Sequence, residues 1–428
     1  MISRLKKIIS ADLVKVSSLN AVSTLVRILT GFISVKVVAK IIGPTGIALL
    51  GQLNNFSSII LSISAGGINT GITKHIAQYA DSPKRYRLFL STGFWITVFL
   101  SVCCALLLIF GARFFSVEIL KDSQYVSVFY IFGVTIILFA LNALLIAIIN
   151  GFKEFKKYVI VNIAGSIIGL LFSIVLAIVF GVYGALLALV TYQSVIFIVT
   201  LFLVSRSEWF KVKFFTGRFS RTAALKLGHF SLMALTSAIL VPLGQLFIRN
   251  FITEHQSLSD AGLWEGINRI STMYLMVLTT SFSVYYLPKL SGLKTDQEVR
   301  KEVFYVYKFM VPFLLITLSL IFLCRTLIIH ILFNERFLGM EDLFLYQLIG
   351  DFFKMGFWVL SFIFLARTMT KYYIVMEFVG TGLNVFVCWY FTSRFGALGA
   401  TMGFALSNCI VFIIHLVIFR KLLLSHAQ

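Results

Sequence analysis

Apolar runs long enough to cross a bilayer recur from one end of this chain to the other, separated by short polar connectors. A spanning helix needs roughly 20 mostly apolar residues. On that measure the pattern predicts helices over 15–41, 46–72, 88–112, 125–150, 158–180, 184–205, 227–252, 260–286, 303–324, 343–366, 372–393 and 397–419. The expected fold class is therefore all-α integral membrane, with about twelve transmembrane helices.

Several spans carry a polar stripe at steps of three and four, which places the polar residues on one helical face. The first holds Ser17, Asn20, Thr24, Arg27, Gly31 and Ser34. The second holds Gln52, Asn55, Ser62, Gly66, Asn69 and Thr73, and the fifth Asn162, Ser166, Gly169 and Ser173. The eighth holds Gly262, Glu265, Arg269, Thr272 and Ser283. The tenth carries Gln347, Asp351, Lys354, Trp358 and Ser361, and the eleventh Glu377, Thr381, Asn384 and Cys388. Small and polar residues of this kind commonly glue helices together. The charges need more. Five cations facing lipid (Arg27, Lys36, Arg249, Arg269, Lys354) would cost on the order of 12–17 kcal/mol on insertion scales. They must be paired or face water. Glu265 with Arg269, and Asp351 with Lys354, are spaced to pair within a turn. Arg27, Lys36 and Arg249 then lack a local partner, with Glu377 available across a cavity and Lys36 free to snorkel. A water-filled cavity with five cations against Glu265, Asp351 and Glu377 suits an anionic passenger, because guanidinium groups pair with phosphate oxygens.

Composition agrees with the hydropathy pattern. Of 428 residues 59% are hydrophobic and 13% charged, against about a quarter charged in soluble domains; mean hydropathy is +0.96. The net charge of +20 does not indicate nucleic acid, because it sits in the connectors. With the N-terminus inside, and Lys15 taken with the tail, 25 of the 37 Lys and Arg fall in cytoplasmic segments, 5 in outward ones and 7 in spans. That is the positive-inside distribution, with both termini cytoplasmic. The first span begins too late and runs too long for a cleaved signal peptide. A basic stretch with Ile2, Leu5, Ile8, Ile9, Arg4, Lys6 and Lys7 has the character of an amphipathic surface helix or an ordinary positive tail.

Enzyme chemistry finds little support. The cysteines (Cys103, Cys104, Cys324, Cys388, Cys409) form no C-x-x-C, so neither a disulfide frame nor a metal site is expected. No P-loop occurs, and His75, His229, His255, His330, His415 and His426 are scattered. The longest outward connector, 325–342, is short for a catalytic domain. No cofactor is expected.

Signals also recur at one offset. Gly46 and Gly262 lie 216 apart; Gly184 and Gly399, Lys74 and Lys289, and Lys156 and Lys371 lie 215 apart. Two parallel six-helix halves explain this, an N-lobe over 1–205 and a C-lobe over 227–428 joined by a basic cytoplasmic linker, 206–226, with Arg206, Lys211, Lys213, Arg218, Arg221 and Lys226. Such halves clasp a cavity and rock to alternate its access.

The runs GGINTGITKHIAQY at 66–79, GLWEGINRIS at 262–271, SFSVYYLPKLSGL at 281–293, YQLIGDFFKMG at 346–356 and FGALGATMGFALSN at 395–408 resemble the Wzx family of lipid-linked oligosaccharide flippases, nearest its enterobacterial common antigen and O-antigen branch. The resemblance covers essentially the whole chain in order. It implies the multidrug/oligosaccharidyl-lipid/polysaccharide exporter fold, two six-helix lobes around a central V-shaped cavity, in a bacterial inner membrane. It implies an undecaprenyl-pyrophosphate-linked glycan as passenger, with membrane lipid around it and the polymerase and chain-length proteins of the same pathway as neighbours. By position, Arg27, Lys36, Arg249, Arg269 and Lys354 are the substrate-binding candidates, and Asp351, Glu265 and Glu377 the coupling or ion-pair candidates. Two rivals stand beside this expectation: a cation-coupled multidrug exporter of the same fold, which would favour carboxylates in the cavity, and a membrane glycan polymerase, which would need a sizeable outward loop.

Overall fold

The computed structural model is helical and describes the backbone of residues 2–424, with the side chains of all but residues 2–21, 229, 230, 283 and 284. The side chains of Ser17, Asn20, His229, Ser283 and the basic stretch 2–9, and the whole of His426, lie outside the described residues. In chain order the helices are α1 (Ile2–Ser64), α2 (Asn69–Tyr79), α3 (Pro83–Phe110), α4 (Ala112–Leu120), α5 (Val126–Gly151), α6 (Phe155–Ser205), α7 (Val212–Phe215), α8 (Arg221–His255), α9 (Leu258–Ser281), α10 (Leu287–Gly292), α11 (Asp296–Leu323), α12 (Arg325–Leu332), α13 (Phe344–Ala366), α14 (Thr370–Ile418) and α15 (Arg420–Leu424). Helices are what an apolar surrounding demands, because each backbone polar group must find its partner within the segment. Their starts follow local rules. Pro83 opens α3 in its first turn, the Ser257 side chain caps α9, and Thr295 with Glu298 forms a capping box on α11.

Three helices are too long for one crossing. The 51 residues of α6 would extend about 76 Å at 1.5 Å per residue, against a hydrocarbon core of about 30 Å. Each long helix breaks at a glycine with left-handed backbone: Gly43 in α1 (φ 66°), Gly181 in α6 (φ 58°) and Gly396 in α14 (φ 59°). Divided there, and taken with α3, α5, α8, α9, α11 and α13, the described chain has the twelve membrane-length pieces expected from hydropathy.

Boundaries differ in three places. The second span, expected to run to residue 72, stops at Ser64; Gly66 (φ 65°) and Gly67 (φ 61°) turn the chain before α2 begins. The eighth passes into a π-helical turn at Phe282–Tyr286 before α10. The outward connector 325–342 is not open loop: α12 and a 3-10 helix at Glu335–Leu343 occupy it. Short amphipathic pieces of this kind fall below the length that a hydropathy run detects.

The duplication is written into the backbone. Gly181 and Gly396, 215 apart, share φ near 58° and ψ of −133° and −139°. A Cβ on Gly184 would lie 1.9 Å from the Leu176 carbonyl oxygen, and one on Gly399 2.1 Å from that of Phe391, again at the same offset. The turns entering α6 and α14 repeat three hydrogen bonds. Phe152 N donates to Ile148 O, Lys153 N to Asn150 O and Glu154 N to Ile149 O; Arg367, Thr368 and Met369 donate likewise to Ile363, Leu365 and Phe364. Lys153 (φ 58°) and Thr368 (φ 53°) take the left-handed conformation there without being glycine.

The chain forms two compact units, Met1–Ile41 with Phe56–Ile239, and Ile42–Asn55 with Leu240–Gln428. In the first, Trp209, Phe214 and Phe215 from the 206–226 segment are buried in a core with Tyr86, Phe89, Ile148 and Val161. In the second, the stretch Ile42–Asn55 is packed so tightly that a Cβ on Gly262 would lie 1.9 Å from the Pro44 carbonyl oxygen.

Candidate functional site

Two buried clusters in the second unit gather most of its candidate charged residues. The first is centred on Arg249 of α8, only 2% exposed. Its Nη2 donates to Glu265 Oε2 at 2.5 Å and its Nη1 to Gln52 Oε1 at 3.0 Å. With the Asn55 amide oxygen turned toward it, that oxygen accepts from Nη1 at 3.1 Å and Nη2 at 3.2 Å. Gln52 Nε2 in turn donates to Asn250 Oδ1 at 2.5 Å. Glu265 is shared, since its Oε1 accepts from Arg269 Nε at 3.0 Å. Gly51 makes this possible: a Cβ there would stand 2.5 Å from Glu265 Cδ. Arg249 Cζ also sits 5.4 Å from the Trp264 ring centroid. Two guanidinium groups on one carboxylate leave the cluster with an excess positive charge, stabilised by neutral amides instead of a second acid.

Arg249, with no partner within a turn of its own helix, finds one sixteen residues on in α9, where Glu265 serves it together with Arg269. A shared carboxylate is economical in a low-dielectric setting, where an uncompensated buried charge is costly.

The second cluster surrounds Asp351 of α13, fully buried. Its Oδ2 accepts from Ser271 Oγ at 2.5 Å and from the Tyr274 hydroxyl. Gln347 Nε2 donates to Ser271 Oγ at 3.1 Å. Asp351 Oδ1 and Gln347 Oε1 are buried acceptors with no hydrogen-bond partner. Here a local pairing expected from the sequence gives way. Asp351 and Lys354 form no ion pair among the described residues. Lys354 Nζ lies instead 5.7 Å from the Trp358 ring centroid and 5.8 Å from that of Phe404, a cation–π arrangement. Glu377 is half-buried on α14.

In the first unit, Arg27 is exposed on α1, its Nη2 3.3 Å from Asn162 Oδ1. Asn162 Nδ2 donates to Tyr158 O at 2.8 Å, which fixes the amide. A separate polar chain runs from Asn142 to Gln193 to the Tyr192 hydroxyl, at 3.2 and 2.9 Å. Lys36 is exposed and forms no ion pair among the described residues.

Stripe reasoning therefore found most of the participants. It missed Ser271 and Tyr274, which hold Asp351, and Trp264 and Gly51. Ser271 and Tyr274 stand three residues apart on α9, a spacing that shares a face, but their partner lies about eighty residues away and no local rule points to it.

Comparison with known proteins places the chain. Residues 37–342 match the family described as "Polysaccharide biosynthesis protein". The "Lipid III flippase" of Escherichia coli (strain K12) is 29% identical over 402 residues, covering 94% of this chain and 96% of that protein; that of Shigella flexneri matches equally. Among solved structures, an inward-facing multidrug resistance MATE family transporter of the MOP superfamily superposes with a TM-score of 0.80 at 13% identity, covering 94% of this chain and 98% of the other. A MOP superfamily transporter from Pyrococcus furiosus, described as having reverse polarity of its binding pocket, gives 0.70 at 14% identity, with 96% and 95% covered. At such identities the structures establish the fold alone. This multi-pass helical membrane protein thus belongs to the polysaccharide biosynthesis protein family.

Proposed function

We propose that this protein is a flippase that carries an undecaprenyl-pyrophosphate-linked oligosaccharide, of the enterobacterial common antigen type, from the cytoplasmic to the periplasmic leaflet of the inner membrane. The observation that carries this reading is the near-full-length relation to the E. coli lipid III flippase, joined to an excess of cations inside the spans. The pyrophosphate is the anionic part of such a passenger, and guanidinium and ammonium groups suit it. Arg27, Lys36 and Lys354 are the cations we assign to direct contact. Arg249 and Arg269 contribute through the field of their shared cluster, because Arg249 is enclosed by its own partners. Asp351 is the group we assign to a proton or cation exchanged during the cycle; its second oxygen and that of Gln347 are both left for such a ligand. Glu377 is assigned to answering a cation in the course of that cycle.

Both termini face the cytoplasm in this reading, on the positive-inside distribution. Lobes 1–205 and 227–428 rock about the 206–226 linker to alternate access. The passenger is handed to the polymerase and chain-length proteins of the pathway.

The test uses cells that lack this gene and keep the glycosyltransferases, and asks which leaflet holds the finished lipid-linked glycan. Cytoplasmic accumulation, relieved by the wild-type gene and not by Arg27→Ala or Lys354→Ala at equal expression, is expected. Finished units reaching the periplasm without the gene would sink the proposal. Cells that instead lose only resistance to cationic drugs would favour the drug-exporter alternative.

A further inference from the structure

The segment between α6 and α8 is more than a tether. Its backbone is clamped along the start of α3: Ser91 Oγ donates to Arg218 O at 3.0 Å, Trp95 Nε1 to Gly217 O at 3.1 Å, and Ser220 N to Thr92 Oγ1 at 3.1 Å. Gly217 permits the approach, since a Cβ there would already be 3.3 Å from Ser91 Cβ. Below the clamp, Trp209 stacks on Phe152 at 4.8 Å, and Phe214 meets Tyr86 edge-on at 6.3 Å. The fold commits buried aromatic surface to holding this segment in one place.

What that placement builds is a cavity of about 320 Å³ lined by Arg87, Leu88, Ser91, Lys213, Phe214 and Arg218, with Gly217. Its three cations are exposed, and none of them forms an ion pair among the described residues. Acids are scarce around it. There is none between Pro83 and Phe110, and Glu208 is the sole one between Arg206 and Lys226. Arg87 Cζ lies 3.8 Å from the Phe214 ring centroid. Stacking occupies the face of a guanidinium and leaves its N–H edges to donate, which is the geometry a phosphate accepts. Beside the cavity, Leu88, Trp95, Val212 and Phe219 are exposed apolar side chains, and Trp95 has its indole N–H satisfied while its ring remains uncovered. Exposed aromatics next to a basic pocket at a span end mark the headgroup level of a bilayer.

We infer that this cavity binds the phosphate of an anionic phospholipid, with the acyl chains lying along the exposed apolar residues of α3, and that the bound lipid anchors the interlobe segment to the membrane. The aromatic and aliphatic flank selects a lipid over a free anion. Three unpaired cations select an anionic headgroup over a zwitterionic one. Which leaflet supplies the lipid follows from the orientation proposed above; binding itself does not depend on it, nor on transport.

Native mass spectrometry of the full-length protein in mild detergent tests this, with palmitoyl-oleoyl phosphatidylglycerol and palmitoyl-oleoyl phosphatidylcholine competing at equal concentration. Wild-type protein should retain phosphatidylglycerol preferentially. Lys213→Gln/Arg218→Gln should lose roughly thirty-fold in affinity for it, at about fivefold for each cation removed near a bilayer surface. Both side chains are exposed and form no ion pair among the described residues, so folding is retained; Arg87→Gln should act in the same direction. Lys301→Gln/Lys308→Gln, which removes two exposed cations of α11, should leave retention unchanged. Equal retention of the two lipids, an unaffected Lys213→Gln/Arg218→Gln protein, or displacement of the lipid by equimolar inorganic phosphate would each overturn the inference. Export that proceeds without the gene, with lipid retention by the purified protein intact, would count against the flippase reading alone.

Discussion

Replacing Glu265 by glutamine should cost more than removing the arginine it serves. Glu265 is the only acid that pairs with Arg249 among the described residues, and Arg249 is 2% exposed. Glu265→Gln therefore strands a buried guanidinium, a change worth about 3–5 kcal/mol; insertion scales price an unpaired charge at mid-span similarly, at about 2.5–3.5 kcal/mol. Arg249→Leu removes the buried charge itself. Glu265 then keeps Arg269 at 3.0 Å, Gln52 keeps Asn250, and only hydrogen bonds are lost, for which less than about 2 kcal/mol is expected. The double variant should recover about 2 kcal/mol or more relative to Glu265→Gln, because Arg269 alone remains and its side chain is 23% exposed. Thermal unfolding of the detergent-purified proteins, followed by tryptophan fluorescence, reads the order directly, and Trp264 stands beside the cluster. Glu265→Gln as stable as Arg249→Leu, or a double variant below both singles, would refute the shared-carboxylate account.

Other consequences are equally direct. Gly184→Ala should abolish folded protein, since its Cβ would meet the Leu176 carbonyl oxygen at 1.9 Å, whereas Gly181→Ala meets nothing within 4 Å and should cost only about 1–3 kcal/mol for its positive-φ backbone; yield of monodisperse protein distinguishes them. His75, stacked 4.5 Å from Phe89, has its pKa lowered by burial, opposed by a Gln78 hydrogen bond and reinforced by Lys74 and Lys226. A base depressed on folding contributes stability above its unfolded pKa of about 6.5, lost as pH falls, so acidification from pH 7.5 to 5.5 should lower the melting temperature of wild type more than that of His75→Phe. Trp209→Ala should release the interlobe segment, at about 3–5 kcal/mol for a buried tryptophan, seen as new protease cleavage within 206–220; unchanged cleavage would mean the segment is held by other contacts.

Much of this protein is determined by its sequence alone, wherever the governing physics is local. Twelve crossings follow from the bilayer's thickness, because a run of apolar residues either reaches that length or does not. The two-fold repeat is legible at Gly184 and Gly399, where close helix approach tolerates no Cβ. The gathering of charge on particular helix faces follows from the 3.6-residue period. The partners of those charges were decided by the tertiary structure. The local pairings Glu265–Arg269 and Asp351–Lys354 were both available by spacing, yet only the first formed, and Glu265 reached Arg249 as well because α8 and α9 bring them together across a turn. Asp351 took Ser271 and Tyr274, held on another helix. The basic segment after α6 reads in sequence as a positive connector; only packing shows that its aromatics are core and that its cations line a cavity with α3. Hydropathy counts the cost of leaving water one residue at a time, whereas pairing and docking depend on which surfaces meet, and that is settled only when the helices pack.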